Sequence, residues 1–354
     1  MKNKKKIAIV GAGFFGCTIA LVLSKKYEVD LYERKPDILN EASRCNQLRF
    51  HLGFHYPRSD KTVNEIKESN EKFIKFYGSD VFGSTQNFYS IVKDEGNTNF
   101  KEYIKFLKKH KLKYKKISSN RYTSNRIEGT ILSNEKILNY FKFKKKIKNR
   151  LIKSRVNLKL NSQLDNSILK YQNYDKIIIA AYKNNNDILK RLGKQVSQKF
   201  RYELVEKIAV KLPLKYKKIS IVVMDGKFIC IDPYLGTPYH LISHVKHSKL
   251  EIIKNRYSKF SKKYDDLLIK VKFSNIKKSK FKRFIKDGLT YLPFLKNAKY
   301  KFSYYVVRTI KHNVKKTDER TNIRKSIDNR IITVLAGKWN TCVSEAKRIE
   351  KLIK

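Results

Sequence analysis

Residues 6–33 constrain the fold of this chain more than any other segment, because they combine a strand, a glycine-rich turn, a helix and a second strand. The turn reads Gly11-Ala12-Gly13-Phe14-Phe15-Gly16. In this pattern Gly11 permits the tight turn, Gly13 lets the backbone approach a pyrophosphate and Gly16 lets the helix pack on the strand. The second strand ends on Glu33, roughly 20 residues after Gly11. At this position a carboxylate accepts hydrogen bonds from the ribose hydroxyls. We therefore predict a dinucleotide site with its pyrophosphate at the helix N-terminus.

The size and composition of the chain favour a folded, two-domain protein. Its 354 residues are 41% hydrophobic and 12% aromatic, enough for two substantial cores. No stretch approaches the ~20 apolar residues of a membrane span. The N-terminal lysines imitate a signal peptide, but glycines interrupt the apolar run and no cleavage site follows. Scattered cysteines without metal-ligand spacing predict free thiols, no metal site and a cytoplasmic location: Cys17, Cys45, Cys230 and Cys342.

The formal net charge of +50 would ordinarily suggest a nucleic acid or an anionic membrane as partner. We discount it, because lysine is enriched along the whole length together with Asn, Ile, Tyr and Phe, as codon drift in an AT-rich genome produces. The densest basic runs, 141–155 and 273–286, also fit amphipathic helices with a solvated face. We expect salt-sensitive adhesion to polyanions and no specific nucleic-acid partner, while a basic binding surface stays the alternative.

The order of predicted elements indicates an α/β protein with an interrupted first domain. Helices are predicted at 61–77, 97–110, 134–154 and 248–269, and strands at 87–93, 113–117, 156–162 and 174–182. After residue 200 alternating segments predict antiparallel strands, with Asp225-Gly226 as a turn. The segment 330–354 reads as strand, glycine turn and helix. We predict a discontinuous Rossmann-like domain (1–85, 130–200, 325–354) and an inserted antiparallel or mixed-sheet substrate domain (86–129, 201–324).

Four patches resemble the FAD-dependent oxidoreductases of the D-amino acid oxidase-like family. They are the unit 6–33, the loop EASRCNQLRFHLGFHYPRS (41–59), the strand YDKIIIAAY (174–182) and the turn AGKWNT (336–341). The chain departs from the family at Ala181-Tyr182, where many members have Gly-Ala. The resemblance implies noncovalent FAD, an inserted substrate domain and hydride transfer from a small-molecule substrate to flavin N5. It also implies these cofactor contacts: Gly11, Ala12, Gly13, Phe14, Phe15, Gly16, Glu33, Arg34, Ser43, Arg44, Asn46, Ala180, Ala181, Gly337, Lys338 and Trp339.

The loop 43–58 concentrates the candidates for chemistry. His51 and His55, with Tyr56, are interpreted as bases or as anchors for a substrate carboxylate or hydroxyl; the alternative is that the histidines bond loop backbone and flavin phosphate. A metal pair lacks a third ligand. Arg49 and Arg308 are interpreted as anion clamps, because a guanidinium grips a carboxylate at two points. A structural ion pair is the alternative for Arg308.

Further residues rank lower as site candidates. Lys338 is interpreted either as a charge beside the flavin or as a solvated lysine. The remaining pocket candidates are Tyr304, Tyr305, Asp232, Tyr234 and His240. Asp318 and Arg320 resemble a family loop ahead of the final strand; the alternative is that they pair with each other on the surface.

The functional prediction is an FAD-dependent oxidoreductase that acts on a small amine, an amino acid or a hydroxyl-bearing substrate. The alternative is a flavin-dependent sugar-nucleotide enzyme, mutase-like and without net redox, in surface-polysaccharide metabolism. A nicotinamide-binding protein is disfavoured, because the return of the chain end to the first domain suits FAD. The sequence leaves open the substrate, the electron acceptor (oxygen or a carrier) and the oligomeric state.

Overall fold

The architecture is taken from a computed structural model that describes residues 4–118, 121–164, 173–312 and 319–353. Its strands are β1 (Lys6–Val10), β2 (Glu28–Tyr32), β3 (Arg49–Phe50), β4 (Phe82–Gly83), β5 (Gln86–Val92), β6 (Tyr114–Ile117), β7 (Ile127–Ser133), β8 (Lys136–Leu138), β9 (Val156–Lys159), β10 (Lys176–Ile179), β11 (Phe200–Lys211), β12 (Ile219–Met224), β13 (Ile229–Tyr234), β14 (Tyr239–His244), β15 (Lys249–Asn255), β16 (Lys272–Phe273), β17 (Lys299–Lys311), β18 (Ile323–Ser326) and β19 (Ile331–Leu335).

The α-helices are α1 (Phe14–Leu23), α2 (Asp60–Tyr77), α3 (Phe100–Lys109), α4 (Tyr140–Ile152), α5 (Asn185–Arg191), α6 (Asp265–Lys270), α7 (Phe281–Leu289) and α8 (Cys342–Ile353). Short 3₁₀ turns cover Tyr182–Asn184, Leu214–Tyr216, Lys262–Tyr264, Ile276–Lys278, Pro293–Asn297 and Trp339–Thr341. No helix of the described part is long and apolar enough to cross a membrane.

The first sheet has the strand order β18-β19-β10-β1-β2-β9. All its pairs are parallel except β18 with β19. Helix α1 is buried along its whole length and packs against α8 and α4, which explains why its sequence is apolar all round. A Cβ atom at Gly16 would lie 1.7 Å from the carbonyl oxygen of Gly11. The glycine therefore permits the close approach of α1 to the turn after β1.

The second sheet has the order β16-β17-β11-β14-β13-β12-β5-β7-β6, and β15 pairs with β11 outside this path. Its pairs are antiparallel except β5 with β12. Strands β3, β8 and β4 form a third, small sheet. This mixed architecture confirms the predicted fold class: a parallel nucleotide-binding sheet combined with a largely antiparallel one. The residue boundaries predicted for the two domains stay a prediction.

Several predicted elements are confirmed, and others are wrong in a way that packing explains. Helix α2, strand β5 and the turn after β12 fall where they were expected. The predicted helix 248–269 is wrong, because residues 249–255 pair with β11 as strand β15 and only α6 is helical. The predicted helix 134–154 begins at Tyr140, since residues 136–138 form β8 between β3 and β4.

Two further predictions hold only in part. The strand predicted at 174–182 ends at Ile179, and a 3₁₀ turn follows from Tyr182. The basic run 273–286 is helical only from Phe281, after a strand and a 3₁₀ turn.

Candidate functional site

A cleft at the carboxyl ends of β1, β2 and β10 gathers the glycine-rich turn and the acid predicted to follow it. Gly11, Ala12 and Gly13 line it together with Glu33, Arg34, Ser43, Ala180 and Ala181. Glu33 Oε2 accepts a hydrogen bond from the Ala12 backbone N–H at 2.9 Å, and its Oε1 accepts one from the Lys35 N–H at 2.9 Å. Burial raises the pKa of the Glu33 carboxyl, while these two backbone donors oppose the rise. We call this cavity the nucleotide cleft.

The N-terminus of α1 opens onto the nucleotide cleft through Gly13, which has no side chain to cap the helix. Ser43 Oγ accepts a hydrogen bond from the Phe14 N–H at 3.3 Å, which ties the loop to the helix start. The Phe14 and Phe15 side chains are buried in the core, so only their backbone is available to a cofactor. The cleft thus offers the N-terminus of α1 with its dipole and a carboxylate, an arrangement that suits a dinucleotide.

The other predicted cofactor residues lie at the edge of the cleft or outside it. Arg34 pairs with Glu41 beside the cleft. The Arg44 guanidinium lies 5.5 Å from the centroid of the Tyr304 ring, and Arg44 lines neither cavity described here. Asn46 Oδ1 accepts from the Leu48 N–H at 3.1 Å and thereby shapes the loop. The roles of Arg34, Arg44 and Asn46 toward a cofactor stay predictions.

A second cavity, of about 510 Å³, lies between the loop 43–58 and one face of the second sheet; we call it the chamber. Its lining combines residues predicted from separate parts of the sequence: Asn46, Arg49, His51, His55, Arg308, Arg320, Gly337, Lys338 and Trp339. It also includes charged residues that were not predicted as site residues: Arg201, Glu203, Lys207 and Lys249. The volume falls in the range of small-molecule sites.

His51 and His55 lie side by side at the chamber, with ring centroids 5.4 Å apart. The Nδ1 atom of each is buried and has no hydrogen-bond partner among the described residues. Burial lowers the pKa of both imidazoles well below 6.5, and the neighbouring Lys338 charge lowers it further. Both rings are therefore neutral at pH 7 and able to accept a proton or a hydrogen bond.

Tyr56 packs edge-on against both histidine rings and lines neither cavity. Its hydroxyl is buried and has no hydrogen-bond partner within the described ranges.

Arg49 is buried in a network of charged and hydroxyl groups. Its guanidinium donates to Asp232 Oδ1 at 2.6 Å, to Glu135 Oε2 at 3.4 Å and to the Ser220 hydroxyl. Tyr89 donates to the same Glu135 oxygen at 2.6 Å. Two buried carboxylates thus accept hydrogen bonds from this guanidinium, while the residue also lines the chamber. The role of Arg49 as a substrate clamp stays a prediction.

Arg308 also has a carboxylate partner, but it keeps part of its side chain open to the chamber. Its Nε donates to Glu203 Oε2 at 2.8 Å, and its Nη2 contacts the same oxygen. Glu203 is fully buried, whereas 41% of the Arg308 side chain is exposed. Arg201 Nη2 lies 2.6 Å from the other Glu203 oxygen. Two guanidinium groups therefore lie against one carboxylate at the wall of the chamber.

The turn after β19 holds Lys338 at the chamber. A Cβ atom at Gly337 would lie 2.1 Å from the Arg320 carbonyl oxygen, so only glycine fits this turn. The Lys338 ammonium lies 4.5 Å from the centroid of the Tyr56 ring and makes no ion pair or hydrogen bond with the residues described. Removal from solvent lowers the pKa of Lys338 to about 7. The side chain is half-buried and lines the chamber, and its role, as a charge beside the flavin or as a solvated lysine, stays a prediction.

The lower-ranked candidates lie apart from the chamber or already bond to other residues of the protein. His240 Nε2 lies 3.0 Å from the Tyr216 carbonyl oxygen, and Asp232 pairs with Arg49. Tyr234 and Tyr304 are buried against each other, while Tyr305 borders the nucleotide cleft. Asp318 lies outside the described residues.

One three-residue cluster outside both cavities has metal-ligand chemistry. Possible ligand atoms of His244, His247 and Asp287 lie within 4.8 Å of one another. His247 Nε2 already pairs with Asp287, and His244 Nδ1 accepts from the Lys246 N–H at 3.2 Å. The predicted absence of a metal site stays a prediction.

The fold and the nucleotide cleft define a dinucleotide-binding protein whose second sheet lines the chamber. Residues 6–227 match the model of the DAO family, described as FAD dependent oxidoreductase. The chain therefore belongs to this family of FAD-dependent oxidoreductases, and FAD is its cofactor. The helix N-terminus and the carboxylate of the nucleotide cleft fit this group.

Two curated relatives share parts of the sequence. The FAD-dependent monooxygenase FPY4 of Fusarium mangiferae is 30% identical over 102 residues, which cover 28% of this chain and 28% of the relative. The FAD-dependent monooxygenase kojA of Aspergillus flavus is 42% identical over 73 residues, which cover 20% of this chain and 17% of the relative. The chain thus matches less than a third of the length of either relative.

Solved structures are similar over almost the whole chain. Glycine oxidase from Geobacillus kaustophilus has a TM-score of 0.70 at 12% identity, with 99% of this chain and 95% of that chain covered. L-Proline dehydrogenase from P. horikoshii has a TM-score of 0.72 at 13% identity, covering 100% and 94%. L-α-Glycerophosphate oxidase from Mycoplasma pneumoniae with FAD bound has a TM-score of 0.70 at 15% identity, covering 100% and 95%. At these identities the likeness shows the fold.

Proposed function

We propose that this protein oxidises a small molecule at a carbon bearing an amine or a hydroxyl group, with FAD as the hydride acceptor. The observation that carries the proposal is the neutral pair His51 and His55 at a chamber beside the FAD-binding domain. Similar folds belong to proteins titled glycine oxidase, L-proline dehydrogenase and L-α-glycerophosphate oxidase, whose named substrates carry amines or are phosphorylated alcohols.

Within this proposal each residue has a role that follows from its position. Bound FAD supplies a two-electron acceptor for the hydride. Glu33 and the backbone of the glycine-rich turn hold the dinucleotide, and Lys338 places a charge that favours negative charge nearby. His51 or His55 accepts the proton that an amine or hydroxyl loses as the carbon is oxidised. Arg308, with part of its side chain in the chamber, orients an acidic group of the substrate.

The family match and the three similar structures favour this net redox reaction over the mutase-like sugar-nucleotide alternative, which we do not propose. The electron acceptor, oxygen or a carrier, is not part of the proposal. The cytoplasmic location stays a prediction from the four free cysteines.

The proposal is tested by mixing the FAD-loaded protein anaerobically with a panel of amino acids, secondary amines and hydroxy acids. We expect at least one compound to bleach the flavin, and the variant with both His51→Asn and His55→Asn to bleach far more slowly at the same FAD content. His247→Asn, outside both cavities, serves as the matched control. A double variant that reduces as fast as the unmodified protein contradicts the assignment of the histidines.

A further inference from the structure

Strand β11 presents every second side chain from Arg201 to Lys207 to the chamber, and three of these four are charged. Arg201, Glu203, Val205 and Lys207 all line it, whereas the residues between them face the buried side of the sheet. Glu203 and Lys207 lie four residues apart, which separates their Cα atoms by about 13 Å at a rise of about 3.3 Å per residue. The chamber wall therefore carries two separate charged positions along one strand.

The first position is the group of Arg201, Glu203 and Arg308. Strand β17 places Arg308 directly opposite Glu203 in the antiparallel register. The Arg308 guanidinium donates to Glu203 Oε2, and the Arg201 guanidinium lies 2.6 Å from Glu203 Oε1. About two fifths of the Arg308 side chain (41%) stays exposed at the chamber. The Nε atom of Arg201 is buried and has no hydrogen-bond partner in the described part of the chain. This end of the chamber suits an acidic group.

The second position is Lys207. The groups around its ammonium are hydrogen-bonding groups, and among the described residues no carboxylate forms an ion pair with it. Its ammonium donates to Gln47 Oε1 at 3.2 Å. Gln47 Nε2 in turn donates to Asp232 Oδ2 at 3.1 Å and to the Leu241 carbonyl oxygen at 3.3 Å, which fixes the amide with its oxygen toward Lys207. Asp232 itself is bonded by Arg49 and Ser220.

Within the described ranges no carboxylate lies at ion-pair distance from the Lys207 ammonium. One of its three N–H donors is used by Gln47, and Lys207 also lines the chamber. Burial lowers the pKa of this ammonium, and the Arg308 charge adds to the effect. A partly buried ammonium with spare donors is stabilised by an anion that enters the chamber.

We propose that the substrate carries two acidic groups, one bound at Arg308 and Arg201 and the other at Lys207, with the oxidised carbon between them. The inference rests on the proposed function, since it names the substrate class of the same chamber. A dicarboxylate and a carboxylate with a phosphate or phosphonate group share this chemistry. Gln47 acts as a positioning residue, because it holds the Lys207 ammonium toward the cavity.

The test is isothermal titration calorimetry of the FAD-loaded protein with adipate and with hexanoate, which have the same chain length and differ by one carboxylate. We expect adipate to bind at a single site, about tenfold or more tightly than hexanoate, as a charge-assisted hydrogen bond provides. Lys207→Met is expected to remove this advantage and to leave the affinity for hexanoate unchanged. Lys207→Arg is expected to retain most of it.

Lys227→Met is the matched control, because Lys227 is an exposed lysine at the edge of the same chamber. It is expected to keep the preference for adipate. A third ligand, 4-phosphonobutyrate, distinguishes the source of the second anion: tighter binding than adipate identifies a phosphate-type group, and weaker binding identifies a carboxylate. Both of these results support the two-anion site.

Equal affinity for adipate and hexanoate, including no measurable binding of either, overturns the inference, as does an unchanged preference in Lys207→Met protein with full FAD content. The proposed function fails differently, when no amine or hydroxy compound bleaches the flavin. The two failures are thus read from separate experiments, one on binding and one on reduction.

Discussion

The ammonium of Lys338 lies 4.5 Å from the centroid of the Tyr56 ring. This contact joins two segments far apart in the sequence, the loop between β3 and α2 and the turn after β19. The Tyr56 ring in turn packs edge-on against His51 and His55, with centroids 5.5 Å and 5.2 Å away. The Lys338 ammonium, whose pKa is lowered to about 7, therefore lies close to two neutral imidazoles.

Replacing Lys338 by Met is expected to change how stability depends on pH. The folded protein releases the Lys338 proton near pH 7 and the unfolded chain near its ordinary pKa of 10.5. Between these values the unfolded state binds more protons, so this residue makes the free energy of unfolding rise with pH. Lys338→Met should therefore stabilise the apoprotein more at pH 6 than at pH 10 in urea denaturation. An exposed control, Lys227→Met, should show no such difference.

Replacing His51 or His55 is expected to slow flavin reduction without loss of FAD. If one imidazole accepts the substrate proton, the matching Asn variant should lower the rate of anaerobic bleaching by about 10²–10⁴-fold. Because the pKa of each ring lies well below 6.5, the neutral form persists from pH 8 to pH 6 and protonation slows the reaction only at lower pH. If the rate of bleaching instead halved as the pH fell to about 6.5, the assignment of neutral imidazoles at pH 7 would be contradicted.

Replacing Arg49 by Met is expected to destabilise the fold. The change leaves Glu135 and Asp232, both at most 1% exposed, without their cation. Breaking a buried pair in this way costs about 3–5 kcal/mol, because the remaining charge is uncompensated. Arg126→Met removes the exposed pair with Glu95 and should cost under about 1 kcal/mol. Similar losses in the two variants, measured by chemical denaturation, would refute the structural role of Arg49.

Replacing Glu33 by Gln is expected to weaken FAD binding about tenfold, since a charged acceptor for ribose hydroxyls becomes a neutral one. The matched control is Glu41→Gln, because Glu41 lines the same cleft but pairs with Arg34. The dissociation constants follow from titrating apoprotein with FAD and recording the quenching of flavin fluorescence. Equal constants for the Glu33 variant and the unmodified protein would show that this carboxylate does not hold the cofactor.

The sequence predicted the parts of the fold whose residues lie close together along the chain. The unit from β1 to Glu33 is local, and its glycine spacing carries a steric requirement, as the 1.7 Å approach at Gly16 illustrates. The segment 249–255 was misread as helix because its strand is stabilised by pairing with β11, a distant partner. Periodicity alone does not reveal such a partner.

The candidate site was predicted unevenly for the same reason. Loop 43–58 and the Gly337 turn were predicted because their characteristic residues lie close together in the sequence, and both border the chamber. The ion pairs of Arg49 were not predicted, because their carboxylates come from β13 and from the residue before β8. Lys207 was not predicted as a site residue, because it is one of many lysines in the sequence. Its even-numbered spacing from Arg201 and Glu203 does not stand out until the strand β11 is known, when all three lie on the face that lines the chamber.

The most direct test of the account is the visible absorbance of the purified protein before and after anaerobic addition of a reducing amine or hydroxy compound. We predict the spectrum of an oxidised flavin, one FAD released per chain on denaturation, and bleaching by the substrate in a reaction that the His51→Asn, His55→Asn protein performs far more slowly. A correctly folded protein that contains no flavin and retains none when FAD is added would contradict the central claim.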